Sequence, residues 1–322
     1  MHCKFCYFSQ EPYNMKKNLI SSFFENLTSR QFIGLLFLYQ LCFIFQGIDF
    51  ADEGFYGAFY QQIFRDPQSV EYNFMYWFSG IVGGAYLHFF PQFGLLALRL
   101  GGVLMITATM ALVYRLLKPH IGGKELKTGL LLATVLISFD PKDLNYDNMS
   151  SLLLVGAASL FFHGLNRHGK FAFFLSGALI SLNTFTRLPN VLGLAMGAVI
   201  IYHGWLLSKK PILIARQTLY FGAGFALATL LILAVMHSMG HLSVFMDCVS
   251  LVREMGKSTE NTHGLKRMMK LFRYEYSMAL IRGGLALAGL ILTGAMLGRI
   301  PQRPPQPGPG WCWAVCCWPC PC

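Results

Sequence analysis

Three carboxylates within five residues, Asp49, Asp52 and Glu53, follow directly on a strongly apolar run. A carboxylate held where hydrocarbon meets water is desolvated and becomes more basic, which suits it to take a proton from a hydroxyl. After it, Phe55, Tyr56, Phe59, Tyr60, Ile63 and Phe64 share one face of a helix, with Gly54, Gly57, Gln61 and Arg65 opposite. That pattern predicts an amphipathic helix lying along a membrane surface, with Asp52 and Glu53 in its first turn. The spacing equally suits a structural role, with Asp49 as an N-cap and the other two acids complementing the helix dipole. A second acidic stretch, Asp140, Asp143 and Asp147, and a cation, Arg187, in Phe185-Thr186-Arg187-Leu188-Pro189-Asn190, complete the groups suited to chemistry.

The chain that must position them has 322 residues, 54% of them hydrophobic and only 13% charged, with a mean hydropathy of +0.47. That excludes a soluble domain and predicts an all-α, multi-pass integral membrane protein. The net charge of +11 comes from Lys and Arg dispersed between apolar runs, a pattern of membrane topology rather than of nucleic-acid binding.

Apolar runs predict about eight transmembrane helices, near residues 31–48, 93–117, 128–139, 149–165, 171–186, 189–207, 217–236 and 278–297. Charge decides the side. If residues 74–90 do not cross, the short loops holding Arg115, Lys118, Lys124, Lys127, Arg167, Lys170, Lys209, Lys210, Arg216 and Arg299 are all cytoplasmic; if they cross, all ten cations move outside. Residues 74–90 therefore read as a juxtamembrane or re-entrant segment. This arrangement makes residues 1–30 a cytoplasmic segment and residues 31–299 the transmembrane domain. Its first external loop, 49–92, carries the juxtamembrane helices, and both acidic stretches and Arg187 share the outer face.

The loop at 237–277 is also external and departs from the charge rule, carrying Arg253, Lys257, Lys266, Arg267, Lys270 and Arg273. Those cations suit either anionic lipid or a phosphate-bearing ligand. After Arg299 the vocabulary turns to Pro, Gly, Trp and Cys, so residues 300–322 read as a frameshifted end, with a genuine Pro-rich tail as the alternative, and Met15 reads as a more natural start than Met1. Two motifs fail on spacing. Gly256-Lys257-Ser258-Thr259 has Leu251 where a phosphate-binding loop needs its first glycine, and Cys3-x-x-Cys6 and Cys317-x-x-Cys320 lack a second pair of zinc ligands. His237 and His241 likewise lack a third ligand.

Taken in order, the first span, Asp52-Glu53-x-x-Tyr56, the aromatic Tyr76-Trp77 and Ala97-Leu98-Arg99-Leu100 resemble the start of the GT-C membrane glycosyltransferases. The branch it looks like contains the protein O-mannosyltransferases and the lipid A aminoarabinose transferase. Tyr146-Asp147-Asn148 stands at the place of that family's second acidic loop, and Thr186-Arg187-Leu188-Pro189 at the place of its Thr-Lys-Gly-Pro-like turn, so the likeness covers roughly residues 31 to 210. The chain departs from the family in lacking a proline-rich stretch before Tyr76-Trp77, in Arg187 for a lysine, and in the later spans and C-terminal domain.

The resemblance implies transfer of a sugar from a polyprenyl-phosphate donor to an acceptor hydroxyl on a lipid, glycan or protein at the external face of a membrane, bacterial cytoplasmic rather than ER. Asp52 would be the base, with Glu53 orienting the acceptor or the loop. Asp147, Tyr56 and Trp77 would bind substrate, and Arg187, Arg253 and Lys257 would meet the donor phosphate. No cofactor beyond the lipid-linked donor is implied, and a divalent metal stays open. Two alternatives stand beside this reading: a transporter or flippase of lipid-linked or anionic solutes, and an inactive truncated transferase.

Overall fold

The computed structural model describes residues 26–46, 52–137, 142–167 and 169–255, with short helical stretches between 269 and 284. Asp49, Asp140 and Lys257, most of the expected last span and the tail at 300–322 lie outside the described residues. The chain divides into two units, Met1–Val252 and Arg253–Cys322.

The described residues are helical and contain no strand. In order they form α1 (Ser29–Leu41), α2 (Asp52–Gln62), a 3-10 segment (Pro67–Tyr76), α3 (Trp77–Phe89), α4 (Gly94–Leu117) and α5 (Gly123–Leu136). There follow α6 (Tyr146–Arg167), α7 (Lys170–Thr186), a second long 3-10 segment (Leu188–Ala195), α8 (Met196–Leu206), α9 (Pro211–Ser238) and α10 (His241–Met255). Four of these stretches are long and apolar enough to cross a membrane: Pro91–Leu117, Tyr146–Arg167, Leu188–Leu206 and Pro211–Ser238. The 24 residues of α4 span about 36 Å at 1.5 Å per residue, more than a hydrocarbon core of about 30 Å. At 13, 14 and 17 residues, α1, α5 and α7 are shorter than a typical span.

Local chemistry sets the helix ends that matter. Thr28 and Gln31 form a reciprocal capping box at the start of α1, the Gln31 N–H donating to Thr28 Oγ1 at 3.3 Å and the Thr28 N–H to Gln31 Oε1 at 2.9 Å. From there α1 lies against the far end of α4, where Phe32 meets Tyr114 with ring centroids 5.8 Å apart. Helices α7 and α9 approach backbone to backbone: a Cβ on Gly177 would stand 2.0 Å from the Phe221 carbonyl, and one on Gly224 would stand 1.9 Å from that of Phe174. Small residues at such a crossing let two apolar helices pack without a side-chain layer between them.

One expectation changes here. Most of the aromatic face of α2 is covered by protein rather than open to a membrane surface: Phe59, Tyr60 and Ile63 are fully buried, while Phe64 stays exposed. The reason is α3, whose Gly80 and Gly83 leave a groove filled by the Phe59 and Tyr60 rings. An apolar helical face looks the same in sequence whether its partner is lipid or protein.

Candidate functional site

The acidic site is assembled from the first turn of α2, the start of α4, the loop 142–145 and the junction after α7. In α4, Arg99, Gly102, Val103 and Ile106 recur at helical spacing and are buried on one face. Arg99 forks onto Glu53, Nε donating to Oε1 at 2.8 Å and Nη2 to Oε2 at 2.9 Å. Its remaining nitrogen, Nη1, donates to the carbonyls of Ile44 at 2.9 Å and Gln46 at 2.6 Å, just beyond α1. Glu53 is thus buried in a two-pronged ion pair that ties α1, α2 and α4 together.

One turn along, Gly102 receives the acidic loop. A Cβ there would lie 2.0 Å from the Lys142 carbonyl oxygen and 2.4 Å from that of Asp143, so only glycine lets the loop seat on the helix. Tyr60 fixes the loop from the other side, its hydroxyl donating to the Leu144 carbonyl at 2.7 Å. Asn145 then caps α6, accepting the Asn148 N–H on Oδ1 at 2.8 Å, while its Nδ2 donates to Asp143 Oδ1 at 2.9 Å. The cap of α6 is therefore Asn145, which leaves the Asp147 carboxylate available for other contacts.

Asp143 is the residue that sequence reasoning undervalued. It is 1% exposed, and its Oδ2 has no hydrogen-bond partner among the described residues. Burial pushes its carboxyl up to about 6, and the charges of Glu53 and Asp52 add to that rise. Such a group sits within reach of neutrality as a proton acceptor.

Asp52 is exposed at the head of α2, and its charge is felt at Tyr56, Asp143 and Asp147. Beside it lies a cluster of phenols: Tyr76 stacks on Tyr146 at 4.2 Å and 5°, and Tyr56 meets the same ring edge-on at 5.5 Å. Burial and the neighbouring Tyr146 hydroxyl raise the Tyr56 phenol above its ordinary range, and burial does the same for Tyr76. Both therefore stay protonated and able to donate a hydrogen bond. Arg187 closes the cluster, its guanidinium 5.1 Å over the Tyr146 ring and its Nη1 donating to Asp147 Oδ1 at 2.9 Å. Its place is set by the end of α7, where Arg187 is the extended C-cap, and by Asn190, which bridges to Ser150 of α6 at 2.8 Å and to Asn183 Oδ1 at 3.0 Å.

Of the residues singled out in the sequence, Asp52, Glu53, Tyr56, Asp147 and Arg187 thus come together, joined by Arg99, Asp143, Tyr76 and Tyr146. Trp77 does not face them: it is buried, and its indole N–H donates to His241 Nδ1 at 3.1 Å, joining α3 to α10. Arg253 belongs to the second unit and Lys257 lies outside the described residues. Among the described residues no group of three or more His, Cys, Asp or Glu side chains is placed to hold a metal ion. The signals for Asp143 were Gly101-Gly102 inside an apolar span and the run Asp143-Leu144-Asn145, whose meaning depends on which helix the loop touches. No protein-family model, curated protein or solved structure matches this chain.

Proposed function

We propose that the protein is a membrane glycosyltransferase that moves a sugar from a polyprenyl-phosphate donor to an acceptor hydroxyl. The observation supporting this most is the convergence of Asp52, Asp143 and Asp147 from two separate segments beside Arg187, at the end of helices able to span a bilayer. In this reading the acceptor oxygen attacks the anomeric carbon, its proton passes to the Asp52 carboxylate, and the bond from that carbon to the phosphate oxygen breaks. The electron pair leaves on the polyprenyl phosphate, where a cation stabilises it. Arg187 is suited to that role because only one of its nitrogens is held by Asp147 and its side chain is 44% exposed. The protonated phenols of Tyr56 and Tyr76 are donors for sugar hydroxyls, and Glu53 positions α2 through Arg99. The site would face outward from a bacterial cytoplasmic membrane, with the acceptor a lipid, glycan or protein and the remaining spans of the eight-helix reading completing the groove.

The test is transfer from a radiolabelled polyprenyl-phosphate sugar pool in membranes carrying the chain, wild type against Asp52→Asn at matched expression. Loss of a general base lowers the rate by about 10²–10⁴-fold. Equal transfer by the variant removes Asp52 from the role. Absence of transfer by either protein, with vesicle uptake of a lipid-linked or anionic solute, favours the transporter reading instead.

A further inference from the structure

The opposite ends of α4 and α6 carry a second set of groups that the acidic site does not use. Arg99 and Arg115 are 16 positions apart on α4, and Asp147 and Arg167 are 20 apart on α6. At 1.5 Å per residue that places the two ends about 24–30 Å from each other, the thickness of a hydrocarbon core. Between α4 and α6 lies a cavity of about 610 Å³ whose wall includes Arg115, His120, His163, Asn166 and Arg167. A neighbouring cavity of about 320 Å³ is lined almost wholly by apolar side chains, among them Ala158, Phe161, Leu165 and Val199. The two share Leu116, His120 and Phe162 as a common wall, with the His120 ring edge-on to Phe162 at 5.2 Å.

We propose that this pair of cavities is a binding site for an anionic glycerophospholipid, its phosphate between Arg115 and Arg167 and its acyl chains on either side of the Leu116–Phe162 wall. Charge selects the head. No carboxylate lines either cavity, and neither arginine has a hydrogen bond or ion pair among the described residues. The α4 and α6 C-termini contribute about half a negative charge each, which offsets roughly one of the two cations and leaves the mouth positive. Lys118, the C-cap of α4, and Lys170, the first residue of α7, lie next along the chain and add to that field. Basic pockets between spanning helices at the membrane interface are suited to phospholipid phosphates. The apolar half selects the lipid over a free anion, since its side chains offer acyl chains a shaped wall to pack against where a free anion finds no partner. The site rests on the membrane-spanning reading alone and is independent of any transferase activity.

Native mass spectrometry of the full chain in detergent tests this, using dioleoyl phosphatidylglycerol, dioleoyl phosphatidylcholine and inorganic phosphate as probes. Phosphatidylglycerol is expected to be retained roughly tenfold more strongly than phosphatidylcholine, with the preference removed in Arg115→Gln/Arg167→Gln and kept in Arg115→Lys. Ala158→Phe, which fills the apolar half, weakens both lipids alike. If the double variant aggregates, Arg167→Gln alone carries the comparison and is expected to lose about half of the preference on a logarithmic scale. Equal retention of the two lipids by wild type overturns the proposal. So does displacement of the bound lipid by millimolar inorganic phosphate, which identifies a free-anion site.

Discussion

Arg99 and Arg187 each hold a carboxylate at 2.8–2.9 Å, yet the surroundings of the two pairs are opposite. The Arg99 and Glu53 side chains are 9% and 2% exposed, and the guanidinium is further held by two carbonyls from another element. Those of Arg187 and Asp147 are 44% and 58% exposed, with one hydrogen bond between them. A buried fork with its donors occupied fixes the geometry of a site, because leaving it uncovers a charge in low dielectric. An exposed single bond costs little to open, which is what a group meeting a substrate requires. Burial, more than the chemistry of the pair, separates the two here, and under the proposed function it makes one a scaffold and the other a substrate contact.

Breaking the buried pair should give the largest effect. Arg99→Met removes the buried fork on Glu53 and the guanidinium bonds to the Ile44 and Gln46 carbonyls, and should cost about 3–5 kcal/mol of stability. Thermal unfolding in detergent reads this directly. The double variant Arg99→Met/Glu53→Leu should recover much of the loss, since neither charge then stays buried alone. A single variant that melts with wild type would show that the pair does not hold the three helices together.

Between these extremes stands Asp143, buried but with one oxygen unpartnered. Its carboxyl rises to about 6 in the folded protein, against an ordinary value of about 3.9 unfolded. Between those values the folded state keeps a proton that the unfolded state has released, so stability falls as pH rises from about 4 to about 6. Above that window the full cost is present, roughly 3 kcal/mol for two units at 1.36 kcal/mol each. Asp143→Asn should flatten this part of the profile and melt higher than wild type at about pH 7. The same slope in both proteins would assign the pH dependence to other groups.

The sequence was most legible where one segment's own pattern decides the outcome. Apolar runs at 93–117 and 217–236 appear as helices over Gly94–Leu117 and Pro211–Ser238. The end of α7 at Thr186 follows from Pro189 just beyond, where a helix cannot simply continue. What stayed hidden depends on partners far along the chain. The burial of α2 needs the Gly80 and Gly83 groove, and Trp77 finds a histidine 164 residues away. Asp143 in the loop and Asp147 in the first turn of α6 are four positions apart, and the seat on Gly102 buries the first of them. Periodicity reports that a face is apolar but not what covers it.

The exposed pair should give the smallest structural effect and the sharpest functional one. Arg187→Gln removes a bond between two solvated side chains and one contact over the Tyr146 ring, together worth about 0–1 kcal/mol at an exposed site. Melting should therefore stay close to wild type. If Arg187 meets the leaving phosphate, sugar transfer should fall by roughly 10²-fold, the scale for losing one donor to a developing negative charge. Arg187→Lys should retain much of the rate, because a point charge still serves a phosphate although it loses the planar contact with Tyr146. Asp147→Asn separates two roles for the partner. It frees the guanidinium, so activity that holds or rises makes Asp147 a tether, and activity that falls with Arg187 intact makes it a ligand for the sugar. A variant of Arg187 that is stable and fully active would leave the exposed pair with no duty that the buried one lacks, and the contrast between them would then be one of solvent access alone.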